Sequence, residues 1–316
     1  MHRIALLDDH QHAADRFADW SQLPEPAEVV AFADSVTGDA LVHRLRGFDV
    51  VVAMRERSAF PREVLEQLTD LRLLVTTGMA NAAIDLDAAR DRGITVCGTG
   101  FVGPPTAELT WALILAVARS VPVEDASMRA GGWQHTVGRD LHGATLGLLG
   151  LGNLGAQVAR VGIAFGMDVV AWSANLTDER AGEVGARRVD LDDLLQMSDV
   201  VSVHLKLSDR TRGLLGAREL GLLKPTAILV NTSRGPIVDE AALVATLRAR
   251  RIHGAGLDVY DTEPLPVDSP LRELRTAVLT PHLGYVTERT YEVFWPEVVE
   301  DVAAWMRGEP VRVLTS

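Results

Sequence analysis

Three glycines close the apolar run Thr145-Leu146-Gly147-Leu148-Leu149, in the order Gly150-Leu151-Gly152-Asn153-Leu154-Gly155, and a helix-length segment follows at once. In a strand–turn–helix context each glycine of such a G-x-G-x-x-G spacing has a task. Gly150 makes the tight turn, Gly152 lets a pyrophosphate come up to the backbone, and Gly155 lets the helix press against the strand. The free N–H groups and the dipole at the helix start then favour anionic phosphates. The spacing points to a dinucleotide, although a methyl-donor cofactor and other adenine-containing ligands use related loops. A carboxylate about 20 residues further on would bind the ribose hydroxyls of NAD. Counting 18 from Gly155 reaches Ser173, in Val169-Val170-Ala171-Trp172-Ser173-Ala174-Asn175, where no Asp or Glu stands. A neutral Ser173 does not repel a 2′-phosphate, yet the nearest arginine is Arg180. Both NAD and NADP stay open.

Such a loop needs a sheet to carry it, and short β-branched runs alternate with helix-length segments along most of the chain. Strands are expected at Arg3–Leu7, Glu28–Ala33, Asp49–Ala53, Leu71–Thr76 and Ile94–Cys97, with helices around Gln11–Trp20, Asp39–Leu45, Arg62–Leu68 and Leu86–Asp91. These spacings supply the crossovers of about a dozen residues that parallel strands require. Pro104-Pro105-Thr106-Ala107-Glu108 opens a long apolar helix expected to run to about Ser120, with Pro122 marking its end. After a glycine-containing stretch the alternation restarts. Strands are expected at Thr145–Leu149, Asp168–Trp172, Val200–Leu205, Ala227–Asn231, Gly256–Val259 and Ala277–Leu279, with helices at Asn153–Phe165, Leu191–Met197 and Glu240–Arg251. A last helical stretch, Glu288–Arg307, has no sheet of its own. The expected fold is α/β: two doubly wound parallel-sheet units with one helical tail.

Composition narrows the partners. The 316 residues include 31 basic and 43 acidic side chains, a formal charge of −12, and no run of five or more Lys/Arg, which disfavours nucleic acid. A hydrophobic share of 47% fits ordinary globular domains, and the length suits two of them. A single cysteine, Cys97, fits a reducing cytoplasm and a buried thiol. The start MHRIALLDDH lacks the pattern of a signal peptide, and no apolar stretch reaches about 18 residues free of charge. The expectation is a soluble cytoplasmic protein without a membrane partner. No metal is expected, since His10 and His12 lie two apart, on different helix faces, without a further ligand cluster.

Three motifs of the second half then stand together: Val230-Asn231-Thr232-Ser233-Arg234-Gly235-Pro236-Ile237-Val238-Asp239-Glu240, Gly256-Leu257-Asp258-Val259-Tyr260-Asp261-Thr262-Glu263-Pro264, and Thr280-Pro281-His282-Leu283-Gly284. With the glycine turn, Gly131-Gly132-Trp133 and Gly166-Met167, they resemble the D-2-hydroxyacid dehydrogenases, among them phosphoglycerate dehydrogenases and glyoxylate/hydroxypyruvate reductases. The resemblance runs from about Leu71 to the C-terminus and is weaker before that. It implies a Rossmann cofactor domain at 101–284 inserted in a flavodoxin-like substrate domain made of 1–100 and 285–316, with catalysis in the cleft between them. It also implies hydride transfer between NAD or NADP and a small D-2-hydroxy acid or 2-keto acid. The family's catalytic arginine, glutamate and histidine fall on Arg234, Glu263 and His282. Arg234 offers a planar, always charged fork to a carboxylate. His282 is acid in reduction and base in oxidation, and Glu263 orients it and favours the imidazolium. Cofactor contacts carry over to Gly150, Gly152, Asn153, Leu154, Gly155, Ser173, Leu205, Thr232, Ser233, Asp258 and Gly284. A homodimer through the cofactor domain is implied, with the helix from Thr106 and the loop around Trp133 at the interface.

Two departures bear on the substrate. In Thr77-Gly78-Met79-Ala80-Asn81-Ala82-Ala83-Ile84-Asp85, relatives commonly have a second glycine and a following Asp. Met79, Ala80 and Asn81 are the expected substrate-binding segment, acting through main-chain N–H groups, and Arg55 with Arg57 is a candidate wall suited to an acidic substrate. Lys206, in His204-Leu205-Lys206-Leu207, stands where proline is usual and is either solvated or directed to a cofactor phosphate. Tyr291, Phe294 and Trp295 either close the pocket or pack their helix. Two other readings remain at this point: an NAD(H)-sensing corepressor-like regulator of the same fold, and oxidation of an inorganic oxyanion such as phosphite.

Overall fold

The runs Val50-Val51-Val52-Ala53 and Leu73-Leu74-Val75 have no polar face, so as strands they must be covered on both sides, which is the condition of a parallel sheet with helices on each face. A computed structural model describes residues 1–315, and the chain divides into two compact units: Met1–Val102 together with Thr287 onward, and Gly103–Val286.

The first unit holds β1 (His2–Leu6), β2 (Ala27–Ala31), β3 (Val50–Ala53), β4 (Leu73–Thr76) and β5 (Thr95–Gly98). All are parallel, in the order β2-β1-β3-β4-β5. This is the flavodoxin-like order. Every residue of β3 and β4 is buried. The helix Glu288–Met306 contributes Tyr291, Phe294 and Trp295, which are 4%, 0% and 0% exposed. The three aromatics pack their helix into this unit. Cys97 is buried, and burial pushes its thiol up to about 12, so it stays protonated and unreactive.

The second unit holds β6 (Thr145–Leu149), β7 (Asp168–Trp172), β8 (Arg187–Arg188), β9 (Val200–Val203), β10 (Ile228–Asn231), β11 (Gly254–Leu257) and β12 (Ala277–Leu279). They form one parallel sheet, ordered β12-β11-β10-β9-β6-β7-β8. Strand order reverses between β6 and β9, where Leu149 pairs with Val203. Ligands of open α/β sheets collect beyond the strand ends at such a reversal. One apolar cluster on each face of the sheet, around Leu148 and Val158 on one side and Leu229 and Leu243 on the other, forms the core.

Several elements differ from the sequence expectation for identifiable reasons. Pro122 does not end the long helix. That helix stops at Ala118, Ser120 takes a left-handed φ of 51°, and Pro122 sits in the first turn of a new helix, Val121–Arg129. The expected helix Gln11–Trp20 shrinks to Ala13–Phe17 because His12 is left-handed and the buried Asp9 carboxylate accepts from the N–H groups of Ala13 and Ala14. His10 and His12 therefore lie on no helix face. Gly256–Val259 becomes Gly254–Leu257, which leaves Asp258 just past the strand end. The helix Asp178–Gly182 and the two-residue β8 were too short and polar to show a periodicity. Among the described residues no single helix is long and apolar enough to cross a membrane.

Arg312 ties the chain's last segment to the helix Glu288–Met306 through Asp301, Glu300 and Glu297. Asp301 is fully buried, and desolvation raises its carboxyl to about 7 against the opposing pull of Arg312. A raised folded pKa contributes stability that is present below the unfolded value and lost as pH rises through about 7. Asp301→Asn should therefore flatten the fall in unfolding free energy between roughly pH 4 and pH 7. Denaturant titrations across that range check this, and an unchanged slope in the variant contradicts it.

Candidate active site

Parallel strands deliver their C-terminal ends to one edge of a sheet, so residues just past β6, β7, β9, β10, β11 and β12 meet there however far apart they stand in the chain. Past β6, Gly150 has φ +99°, and a Cβ on it would lie 2.7 Å from the His204 carbonyl oxygen. Its N–H donates to the Trp172 carbonyl at 2.8 Å, which locks the turn between β9 and β7. Gly155 lies too close to the Gly150 carbonyl to carry a side chain, so helix Asn153–Ala164 can start flush against the strand. Gly152, the N-cap, differs: a Cβ there would meet nothing within 4 Å, and no side chain caps the helix. Asn153, Leu154 and Gly155 thus carry first-turn N–H groups that have no intrahelical acceptor, beside the open space at Gly152. That is the cradle a pyrophosphate requires, and the residues present fit the dinucleotide.

Around this turn, Ser173 is half-buried just past β7. Arg180 is ion-paired with Glu183. Past β9, burial holds the His204 imidazole down at about 4, with its Nε2 2.9 Å from the Ser202 hydroxyl, so the ring beside the glycine turn is neutral. Leu205 accepts a hydrogen bond from the Ser233 hydroxyl through its carbonyl, which brings two expected cofactor residues together. Lys206 is exposed.

Past β10, the buried Asn231 folds the turn that presents Arg234. Its Oδ1 accepts from Ser233 N at 3.0 Å and its Nδ2 donates to the Arg234 carbonyl at 3.0 Å. Thr232 turns inward to the Thr110 hydroxyl at 2.8 Å. Past β11, Asp258 is fully buried. One carboxylate oxygen accepts from the Thr280 hydroxyl (2.6 Å) and Leu283 N (2.7 Å), the other from Gly284 N (2.9 Å). Burial raises its pKa, with those hydrogen bonds opposing. Asp258 thereby shapes the loop Thr280–Gly284, in which His282 takes a left-handed φ of 54° while its N–H donates to the Asp258 carbonyl at 2.9 Å.

Held this way, His282 Nδ1 lies 2.6 Å from Glu263 Oε2, and the edge of Tyr285 packs at 5.8 Å between ring centroids. Both partners are mostly buried, with 19% and 28% of their side chains exposed. Burial alone would raise Glu263, but the hydrogen bond and charge of His282, the Tyr260 N–H and the charge of nearby Arg234 outweigh it and leave the carboxyl below its ordinary value. Arg234, Glu263 and His282, from three strand ends, share one neighbourhood. Asn231, Tyr260 and Thr280 complete it without having been singled out in the sequence. Their only signal there was adjacency to the motif residues.

The remaining expected residues gather in the first unit around the end of β4. Gly78 has φ +99°, and the Arg55 guanidinium lies over the position its Cβ would take, donating to the Thr77 carbonyl at 3.0 Å. The Asn81 side chain braces the loop, its Nδ2 donating to the Arg55 carbonyl (2.7 Å) and Thr76 Oγ1 (2.8 Å) and its Oδ1 accepting from Ala83 N (2.9 Å). Its side chain is consumed by the fold, which leaves the exposed residues Met79 and Ala80 as the open part of the segment. Arg57 donates to the Asp8 carbonyl at 3.1 Å.

Known proteins carry the same architecture. Residues 111–284 match the family model described as D-isomer specific 2-hydroxyacid dehydrogenase, NAD binding domain. A glyoxylate reductase of Aeropyrum pernix is 41% identical over 257 residues, 78% of this chain and 77% of that protein. A D-3-phosphoglycerate dehydrogenase of Methanocaldococcus jannaschii is 34% identical over 89% of this chain but only 54% of its own, longer length. The crystal structure of a phosphoglycerate oxidoreductase from Vibrio cholerae superposes with a TM-score of 0.92 at 35% identity, covering 98% of this chain and all of that one. Sequence, strand order and strand-end chemistry agree: the chain belongs to the D-isomer-specific 2-hydroxyacid dehydrogenase family.

Proposed function

We propose that the chain interconverts a small 2-keto acid and its D-2-hydroxy acid, with Arg234, Glu263 and His282 as the catalytic set. NAD or NADP would lie on the turn Gly150–Gly155, with Ser173, Leu205, Thr232, Ser233, Asp258 and Gly284 along it. A nicotinamide, when bound, supplies the hydride to substrate C2 or takes it away. His282 gives the substrate oxygen its proton in reduction and removes it in oxidation, through Nε2, because Nδ1 is engaged by Glu263. Arg234 pairs with the substrate carboxylate and polarises the reacting oxygen. The main-chain N–H groups of Met79, Ala80 and Asn81 remain the proposed substrate-binding segment of the first unit, with Arg55 beside them. The neutral end of β7 admits either cofactor. The observation that carries this reading is the 2.6 Å contact between Glu263 and His282.

A homodimer in the cytoplasm completes the proposal. The larger exposed apolar side chains of the second unit include Val121, Met128, Trp133 and Val137, on the helix Val121–Arg129 and the irregular segment after it. Water contact at so many apolar groups is unfavourable, and a second copy would relieve it. Light scattering should give twice the monomer mass, and Trp133→Asp should shift it toward one copy. A wild-type monomer at assay concentration contradicts the dimer.

Two experiments address the site. His282→Ala should lower kcat for keto-acid reduction by roughly 10² to 10⁴ while NADH binding persists, and near-normal turnover would remove His282 from the mechanism. Gly152→Ala is sterically free in the fold, so its melting temperature should match wild type, whereas the methyl group should weaken NADH binding by about tenfold or more through the pyrophosphate. Unchanged affinity there refutes the assigned cradle. A further expectation follows from the Glu263 carboxyl. Its folded pKa is depressed, so the pair contributes stability that is present above the ordinary carboxyl value and lost as pH falls through the depressed one. Glu263→Gln should accordingly be destabilised at neutral pH and converge on wild type below roughly pH 4. A constant difference across the acid range would contradict that sign.

A further inference from the structure

Tyr260 touches all three segments that bear the catalytic set. Its main-chain N–H donates to Glu263 Oε1 at 2.9 Å, on the carboxylate oxygen opposite the one that meets His282. Its hydroxyl lies 2.9 Å from the Thr280 carbonyl and 3.1 Å from the Leu257 carbonyl, so its single proton is shared between the last residue of β11 and the loop that carries His282. That Thr280 carbonyl also accepts the His282 N–H at 3.1 Å. On its third side, Gly235, next in chain to Arg234, approaches the Tyr260 carbonyl group so closely that no Cβ would fit. The ring is 6% exposed and packs in the apolar cluster around Leu257 and Leu271.

We propose that Tyr260 is the positioning residue of this site: its backbone fixes the Glu263 carboxylate, and its hydroxyl fixes the loop that aims His282. The inference rests on the catalytic reading of Arg234, Glu263 and His282 and adds a residue that need touch neither substrate nor cofactor. The hydroxyl is the testable part, because phenylalanine fills the same volume and keeps the N–H bond to Glu263. Without it, the Thr280 carbonyl loses a donor and the left-handed turn at His282 loses a tether, so the ring samples orientations off the Glu263 oxygen.

The experiment compares wild type, Tyr260→Phe and His282→Ala in steady-state reduction of glyoxylate across pH, together with NADH titration and thermal unfolding. Tyr260→Phe should keep NADH affinity within about twofold while kcat falls about three- to tenfold, the size expected for one buried hydrogen bond felt only in the productive geometry. The acid limb of its kcat/KM profile should move to higher pH, because Glu263 loses part of the partner that depresses it. A hydroxyl that merely satisfied buried carbonyls would lower the melting temperature and leave kcat and the pH profile of the folded enzyme unchanged. That result, with His282→Ala inactive, overturns the proposal and leaves the catalytic reading intact. Near-normal turnover by His282→Ala overturns both.

Discussion

A carboxylate hydrogen-bonded to an imidazole in a mostly buried setting is the interaction on which the site depends. Glu263 Oε2 and His282 Nδ1 stand 2.6 Å apart, with 28% and 19% of their side chains exposed. Burial disfavours an isolated carboxylate, and here the histidine, a backbone N–H and a nearby guanidinium reverse that tendency. The result is an ionised acid that fixes one ring nitrogen, the arrangement that the proposed proton exchange through the other requires. Remove the carboxylate and neither the ring's orientation nor its tautomer is determined.

The fold supplies that contact through strand ends. Arg234 follows β10, Asp258 and Glu263 follow β11, and His282 follows β12, three neighbouring strands of one parallel sheet. The loops are then fixed by side chains turned back on the main chain: Asn231 brackets Arg234, and Asp258 binds three groups of the loop Thr280–Gly284. His282 holds an uncommon left-handed conformation, which is sustained because the surrounding hydrogen bonds over-determine it. The glycine turn sits on the same edge, at the reversal of strand order, so the proposed cofactor cradle and the proposed proton-handling pair share one sheet.

Much of this was legible in the sequence, for physical reasons that differ by element. Apolar runs such as Val50-Val51-Val52 and Thr145–Leu149 are continuous because both sheet faces are covered, and that pattern marks strands to within a residue or two. The glycine turn is legible because steric exclusion at Gly150 and Gly155 leaves no other residue type. Pro122 misled because proline suits the first turn of a new helix as well as the end of an old one. Asp258 illustrates the limit of motif reading. The motif marks it for the cofactor, and its carboxylate also holds the loop Thr280–Gly284, a role that depends on three donors distant in sequence. Tyr260 was invisible for the same reason, since nothing in a tyrosine's neighbours along the chain states where its hydroxyl ends.

In the proposed mechanism Glu263 and His282 act as one unit, and a kinetic double-mutant cycle over Glu263→Gln and His282→Gln measures this directly. If they do, kcat/KM of the double variant should lie within about twofold of the His282→Gln single variant, because the glutamate has nothing left to act through. Losses that multiply, with the double variant slower than either single by the product of their effects, would contradict the account.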